Sequence, residues 1–297
     1  FNNEASELSV TQHTFNYNAF LTYNRTFGEH AINITAGAEA TRSSSYTRSV
    51  SGNSVTSSYP ELINPLTLTD GDGYTGGQQY LMGTFARANY IYKNRYIINT
   101  SIRRDGHSVL SPENRFATFY ALGGGWIITD EKFVTIPGVS LLKLRGSYGT
   151  SGNTALTAEM TQLSMGTSLN RYGGAYLPGA TTLGPIGSPG LKWETTASTD
   201  LGLDFGFLDD RITGSIAYYN KKVSNLILRG NVPISAGFTT NAVWENIGSL
   251  RNWGWEFDVT SLNIKKGGFT WNTDFNISFN DNRILSLNEF EKGKGAE

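Results

Sequence analysis

Acid–base, nucleophilic and metal chemistry each need particular side chains, and this sequence offers few of them. It has three His and no Cys. His13, His30 and His107 share no metal-ligand spacing such as His-x-x-x-His. The lack of Cys excludes a disulfide framework and thiolate metal sites. Asp105 and His107 share one loop entry and form the one acid–base candidate. At the extracellular rim of a barrel such a pair suits a hydrolase, and a solvated Asp-Gly turn is the plainer reading. Asp70-Gly71-Asp72-Gly73 has oxygen ligands at calcium-like spacing but no downstream bidentate Glu, so it reads as a Gly-rich loop tip. Gly123-Gly124-Gly125 lies in a strand and opens no helix. It fits a sheet kink or close packing of another element, not a phosphate cradle. Trp193, beside Glu194, has two readings: a ring that stacks on a sugar, or an aromatic at a membrane interface. No cofactor is implied.

The elements that carry these residues read as strands. Charged residues make up 16% of the chain and aromatics 12%, with 34 Gly. Gly, Asn, Ser and Thr are weak helix formers, and the aromatic content argues against disorder. The net charge of −1 gives no basic field for nucleic acid. No apolar run approaches the length of a membrane helix, about 18 residues. A two-residue alternation instead recurs along the chain. Phe15, Tyr17, Leu21 and Tyr23 alternate with Asn16, Asn18 and Thr22. Leu201, Leu203, Phe205 and Phe207 alternate with Asp200 and Asp204. Trp253, Trp255, Phe257 and Val259 alternate with Glu256 and Asp258. In all, about ten strands follow one another in a single meander.

Short links alternate with long ones. Tight turns are expected near Gly28, Asn94, Asp209 and Lys266. Long polar links are expected over residues 42–79 and 151–191, and up to about Leu250. One face of the strands is nearly charge-free. The other carries Arg87, Arg103, Lys143, Arg145, Asp200, Asp204, Glu256, Asp258 and Asp274. That asymmetry predicts lipid on one side and a polar lumen on the other. Phe116 and Trp126 lie ten positions apart on one face, and Trp271 and Phe279 eight apart. With a rise of about 3.3 Å per residue and a tilt of roughly 40°, each pair spans about 20–25 Å along the membrane normal. This is the height of an apolar band between two aromatic girdles. The fold class read from the chain is all-β: an antiparallel up-and-down transmembrane β-barrel, present in part. Phe1 is no initiator Met and Glu289–Glu297 ends no strand, so an internal piece of a longer protein is expected.

Several segments resemble the SusC/RagA branch of TonB-dependent outer-membrane transporters. They are Arg87–Tyr96, Arg103–Ser108, Gly125-Trp126 with Asp130–Phe133, Leu142–Asn153, Leu191–Thr195, Tyr218–Lys222, Asn246–Gly248 and Asn252–Glu256. They cover most of the chain from Gly83 to Ser286, in order. The resemblance implies ten strands of a 22-stranded barrel, with residues 1–297 all in one barrel domain and the plug and TonB-contacting segment outside it. It also implies glycan or peptide import, a SusD-like surface lipoprotein, contact with outer-membrane lipid, and no catalytic residues. The nine charged residues become lumen-facing or plug-contacting candidates, with the charges paired by the plug. Trp193 becomes a substrate-stacking candidate. The competing classes are a barrel hydrolase using Asp105 and His107, and a soluble carbohydrate-binding β-domain.

Overall fold

The computed structural model describes residues 4–53, 68–154, 156, 158–161, 165–172, 175–183, 187–231 and 242–287. Its strands are β1 (Glu4–Phe27), β2 (His30–Asn53), β3 (Leu68–Tyr92), β4 (Tyr96–His107), β5 (Phe116–Ile127), β6 (Val139–Asn153), β7 (Met165–Tyr172), β8 (Ala175–Leu183), β9 (Glu194–Phe207), β10 (Ile212–Asn231), β11 (Ala242–Lys266) and β12 (Phe269–Ser286). A single helical turn, α1 (Ala158–Thr161), precedes β7. Ten strands form one sheet in the order β1-β2-β3-β4-β5-β6-β9-β10-β11-β12, and β7-β8 make a separate hairpin. The large sheet is an antiparallel meander that does not close on itself, as a section of barrel wall must be.

The tight turns lie together at one end. Lys93 and Asn94 both have φ of 54°, and Leu208, Asp209 and Asp210 have φ of 55°, 56° and 59°. Positive φ at the centre of a hairpin matches the right-handed twist of the strands it joins. Gly267 and Gly268 meet the same demand with φ of 57° and 83°, where no Cβ opposes it. Neighbouring links bond to one another. The Lys93 N–H donates to the Glu29 carbonyl (2.8 Å), and the Leu208 N–H to the Gly138 carbonyl (2.8 Å). The long links gather at the opposite end.

Register assigns every side chain a face. One row crosses all ten strands as Phe27, His30, Tyr92, Tyr96, Trp126, Leu144, Leu203, Ile216, Phe257 and Ile277. The expected apolar face is thus continuous, with ring stacks such as His30 on Tyr92 at 4.7 Å. An apolar groove of about 270 Å³ runs along it, between Leu144, Leu201, Leu203, Ile216, Tyr218 and Trp255. On the other face a polar row reads Asn24, Asn33, Asn89, Asn99, Gly123, Ser147, Asp200, Tyr219, Gly254 and Asn280. A wall one strand thick has no interior of its own. The buried core lies instead at the long-link end, where Val109, Leu110, Phe119, Leu156, Leu191 and Trp193 pack together.

Two expected links are largely strand. β2 runs to Asn53 and β3 begins at Leu68, so the polar stretch over 42–79 is mostly a hairpin. Asp70–Gly73 lies within β3, with Asp70 opposite Ser51, and is no loop tip. β10 reaches Asn231 and β11 starts at Ala242. Beyond the apolar band both faces meet water, so alternation fades while backbone pairing continues. The stretch over 151–191 likewise holds α1, β7 and β8.

Candidate functional site: the polar face and the outer loop cluster

All nine charged candidates fall on the polar face by register. Their partners differ from expectation. Asp204 accepts Arg145 Nε at 3.0 Å and lies 3.3 Å from Lys143 Nζ. One carboxylate thus pairs with two cations inside the wall, which leaves the trio with one positive charge in excess. Arg145 lies over Gly202, where an added Cβ would meet the guanidinium carbon at 2.5 Å. Arg103 Nε donates to both oxygens of Asp105, at 2.6 and 2.7 Å, and its Nη2 pairs with Glu39. Asp200 accepts from Ser198 (2.9 Å) and Asp274 from Thr260 (2.8 Å). Arg87, Glu256 and Asp258 have no hydrogen-bond or ion-pair partner among the described residues.

A cavity of about 480 Å³ opens on this face, lined among others by Arg87, Asn99, Ser101, Gly123, Ser147 and Asp200. A Cβ at Gly123 would sit 3.5 Å from the Ser147 Cβ, an ordinary contact. Nothing in the wall demands glycine there. What glycine provides is open floor for a group approaching from the lumen side.

At the long-link end, four consecutive residues tie the outer loops down. Leu191 is 2% exposed in the loop core. The Lys192 N–H donates to Asn246 Oδ1 (2.8 Å), and Asn246 Nδ2 donates back to the Lys192 carbonyl (3.0 Å). Asn246 Nδ2 also reaches the Asn225 carbonyl (2.7 Å). Asn225 has φ of 58° and sits at a bulge in β10. Glu194 Oε1 accepts the Ile227 N–H beside that bulge, and Oε2 accepts Asn153 Nδ2, both at 2.8 Å. A bulge leaves backbone groups without ladder partners, and Asn246 and Glu194 supply replacements.

Trp193 is 7% exposed. Its indole N–H donates to the Arg115 carbonyl at 3.0 Å. Its ring meets Phe119 edge-on at 5.8 Å and His107 at 6.5 Å. A sugar has no access to this indole while the loops pack in this way, and the ring is no membrane girdle. Its position is structural.

The acid–base pair is likewise not assembled. Asp105 spends both oxygens on Arg103. His107, two residues further along the same face, is buried and its Nδ1 has no hydrogen-bond partner. It lies beyond the apolar band, and burial pushes its pKa below the ordinary value. Among the described residues no third group orients the imidazole, as a general base requires.

A contact missing from the sequence reading joins the strands at the tight-turn end. Glu131, in the β5–β6 link, accepts from the Tyr96 hydroxyl, from Trp126 Nε1 (3.2 Å) and from Arg95 Nη1 (3.1 Å). The Tyr96 hydrogen bond, then that of Trp126, holds the carboxyl below its ordinary pKa of 4.5. A lowered folded-state pKa stabilises the fold above the unfolded value, and the gain is lost as pH falls through the folded one. Urea unfolding should therefore show the stability gap between the protein and its Glu131→Gln variant shrinking as pH drops below 4.5. A gap that is constant with pH would remove this role.

Comparison with known proteins places this architecture. The RagAB peptide transporter superposes with a TM-score of 0.84 over 97% of this chain and 32% of its own, at 20% identity. The outer membrane transporter YddB from Escherichia coli gives 0.66 over 93% of this chain and 34% of its own, at 11% identity. The TonB-dependent receptor SusC of Bacteroides thetaiotaomicron is 33% identical over 94% of this chain, and TonB-dependent receptor P26 of Formosa agariphila is 36% identical over 72%. The chain spans 28% and 21% of the lengths of those two relatives. The family described as TonB dependent receptor-like, beta-barrel, matches residues 1–291, and the chain belongs to that family of outer-membrane barrels.

Proposed function

We propose that the protein carrying this chain imports a glycan or peptide nutrient across the bacterial outer membrane in a TonB-dependent way. Residues 1–297 contribute part of its barrel wall. The observation that carries this reading is the ten-strand sheet with one apolar and one ionised face, in a chain similar to SusC along most of its length. A SusD-like surface lipoprotein covers the long-link end, and TonB engages a segment outside these strands. The three unpaired charges Arg87, Glu256 and Asp258 meet a plug or the passing solute. Lys143, Arg145, Arg103, Asp204, Asp200 and Asp274 chiefly brace the wall.

The protein has no hydrolase activity in this reading, because Asp105 and His107 do not form an acid–base unit. Loss of TonB should abolish uptake by cells. His107→Leu keeps the volume and removes an unpaired buried polar atom, so uptake should stay within a few-fold of the parent. Import without TonB overturns the proposal, as does purified protein that cleaves glycan or peptide and loses that activity in His107→Leu.

A further inference from the structure

The outward faces of β10, β11 and β12 change character near the long-link end. On β10 the outward positions run Ile216, Tyr218, Asn220, Lys222. On β11 they run Phe257, Trp255, Trp253, Arg251, and on β12 Ile277, Phe279, Asp281, Arg283. Register pairs Lys222 with Arg251, and Arg251 with Arg283. Three cations therefore stand side by side on adjacent strands, on the face that otherwise meets lipid. With strands about 4.8 Å apart, the outer two backbones are roughly 10 Å from each other.

Like charges paired across a sheet repel, and the wall offers them little relief. Lys222 and Arg283 are exposed and have no ion-pair or hydrogen-bond partner among the described residues. Arg251 is braced: its Nε donates to Asn220 Oδ1 (2.7 Å) and its guanidinium lies 5.0 Å over the Trp253 ring. Asp281 stands one outward position below Arg283 and accepts from the Asn282 N–H (2.8 Å), with no ion pair to these cations.

Height selects the partner. Arg251 lies one outward position beyond Trp253. Lys222 and Arg283 lie two beyond Tyr218 and Phe279, the last outward aromatics of their strands before the cations. That is about 5–10 Å past the apolar band for strands tilted by roughly 40°. The level is that of lipid headgroups, and the long-link end of such a barrel faces outward from the cell.

The geometry points to a binding site for the phosphate of an outer-leaflet lipid, held among Lys222, Arg251 and Arg283. Arg forks match phosphate oxygens, and Lys adds a compact charge. The acyl chains of the same lipid lie along Tyr218, Trp255 and Phe257. A free anion would gain the charges but none of the apolar column. The site rests on the outer-membrane reading of the chain and not on its transport role, so a failed TonB experiment would leave it standing.

The test takes the intact protein, purified from outer membranes in mild detergent, and offers it a phosphorylated lipid A or the same lipid without its phosphates. Native mass spectrometry reads the bound lipid. The parent should retain the phosphorylated form roughly tenfold better. The double variant Lys222→Gln, Arg283→Gln should lose most of that preference while keeping the heat-modifiable mobility of a folded barrel. Should the double variant not fold, Lys222→Gln alone must still lower the preference. Equal retention of the two lipids by the parent overturns the site, as does an unchanged preference in the folded variant. Full displacement of the lipid by excess inorganic phosphate would show a free-anion site and overturn the lipid assignment.

Discussion

Leu203→Arg is expected to destabilise the folded protein in a bilayer by about 2–4 kcal/mol, the range for a cation at the midplane of a barrel's lipid face. Leu203 sits mid-way along the outward column Phe207, Phe205, Leu203, Leu201, with Leu144 and Ile216 as its cross-strand neighbours. No carboxylate shares that row. An Arg there has to snorkel past apolar neighbours or drag water inward. Reversible urea unfolding in lipid vesicles measures the difference. The same change at Gly123, on the opposite face, should have a much smaller effect, because that site borders a polar cavity. Equal penalties at the two positions would mean that the faces have been assigned the wrong way round.

Trp193→Ala is expected to cost the outer loop cluster about 3–5 kcal/mol, as for other buried large-to-small changes. The loss has two parts. The ring fills the space between Phe119, His107 and Leu191, and its N–H satisfies the Arg115 carbonyl. Trp193→Phe keeps most of the packing and drops the hydrogen bond, so it should cost about 1 kcal/mol plus the smaller volume. Because the cluster lies beyond the membrane band, the damage should be local. Hydrogen exchange should rise over residues 108–115 and 187–193 while the strands stay protected. A globally unfolded barrel, or unchanged exchange in the loops, would contradict this placement.

The wall was legible in the sequence because lipid on one side and water on the other impose a two-residue period. Leu201 to Phe207 and Trp253 to Val259 show it plainly, and the tight turns follow from where the period stops. The hairpin extensions to Asn53 and from Leu68 were not legible, since water on both faces leaves no alternation to read. The charged residues were assigned a common face, but not their partners. Lys143, Arg145 and Asp204 meet only because β6 pairs with β9 across a long excursion, and no local pattern encodes that register. The contacts of Glu131, Glu194 and Asn246 were missed for the same reason. Each is a single side chain that serves several groups at once, most of them more than 20 residues away in sequence. Trp193 illustrates the limit from the other side: an aromatic beside a carboxylate suggests sugar stacking until the fold buries it.

The bond between Asn153 and Glu194 joins the last residue of β6 to the first of β9 at 2.8 Å. Everything between them is thus a closed excursion anchored at its base, and Leu191 to Glu194 lock the returning end to the neighbouring hairpin. The entropy of closing such an excursion grows only slowly with its length, by about 0.6 kcal/mol per doubling. A stretch anchored in this way behaves as an exchangeable cassette. Its length can change at little entropic cost while the wall beneath keeps its register. Chimeras that swap residues 157–186 and retain Asn153, Leu156, Leu191, Trp193 and Glu194 should therefore keep both the loop core and the register of the wall.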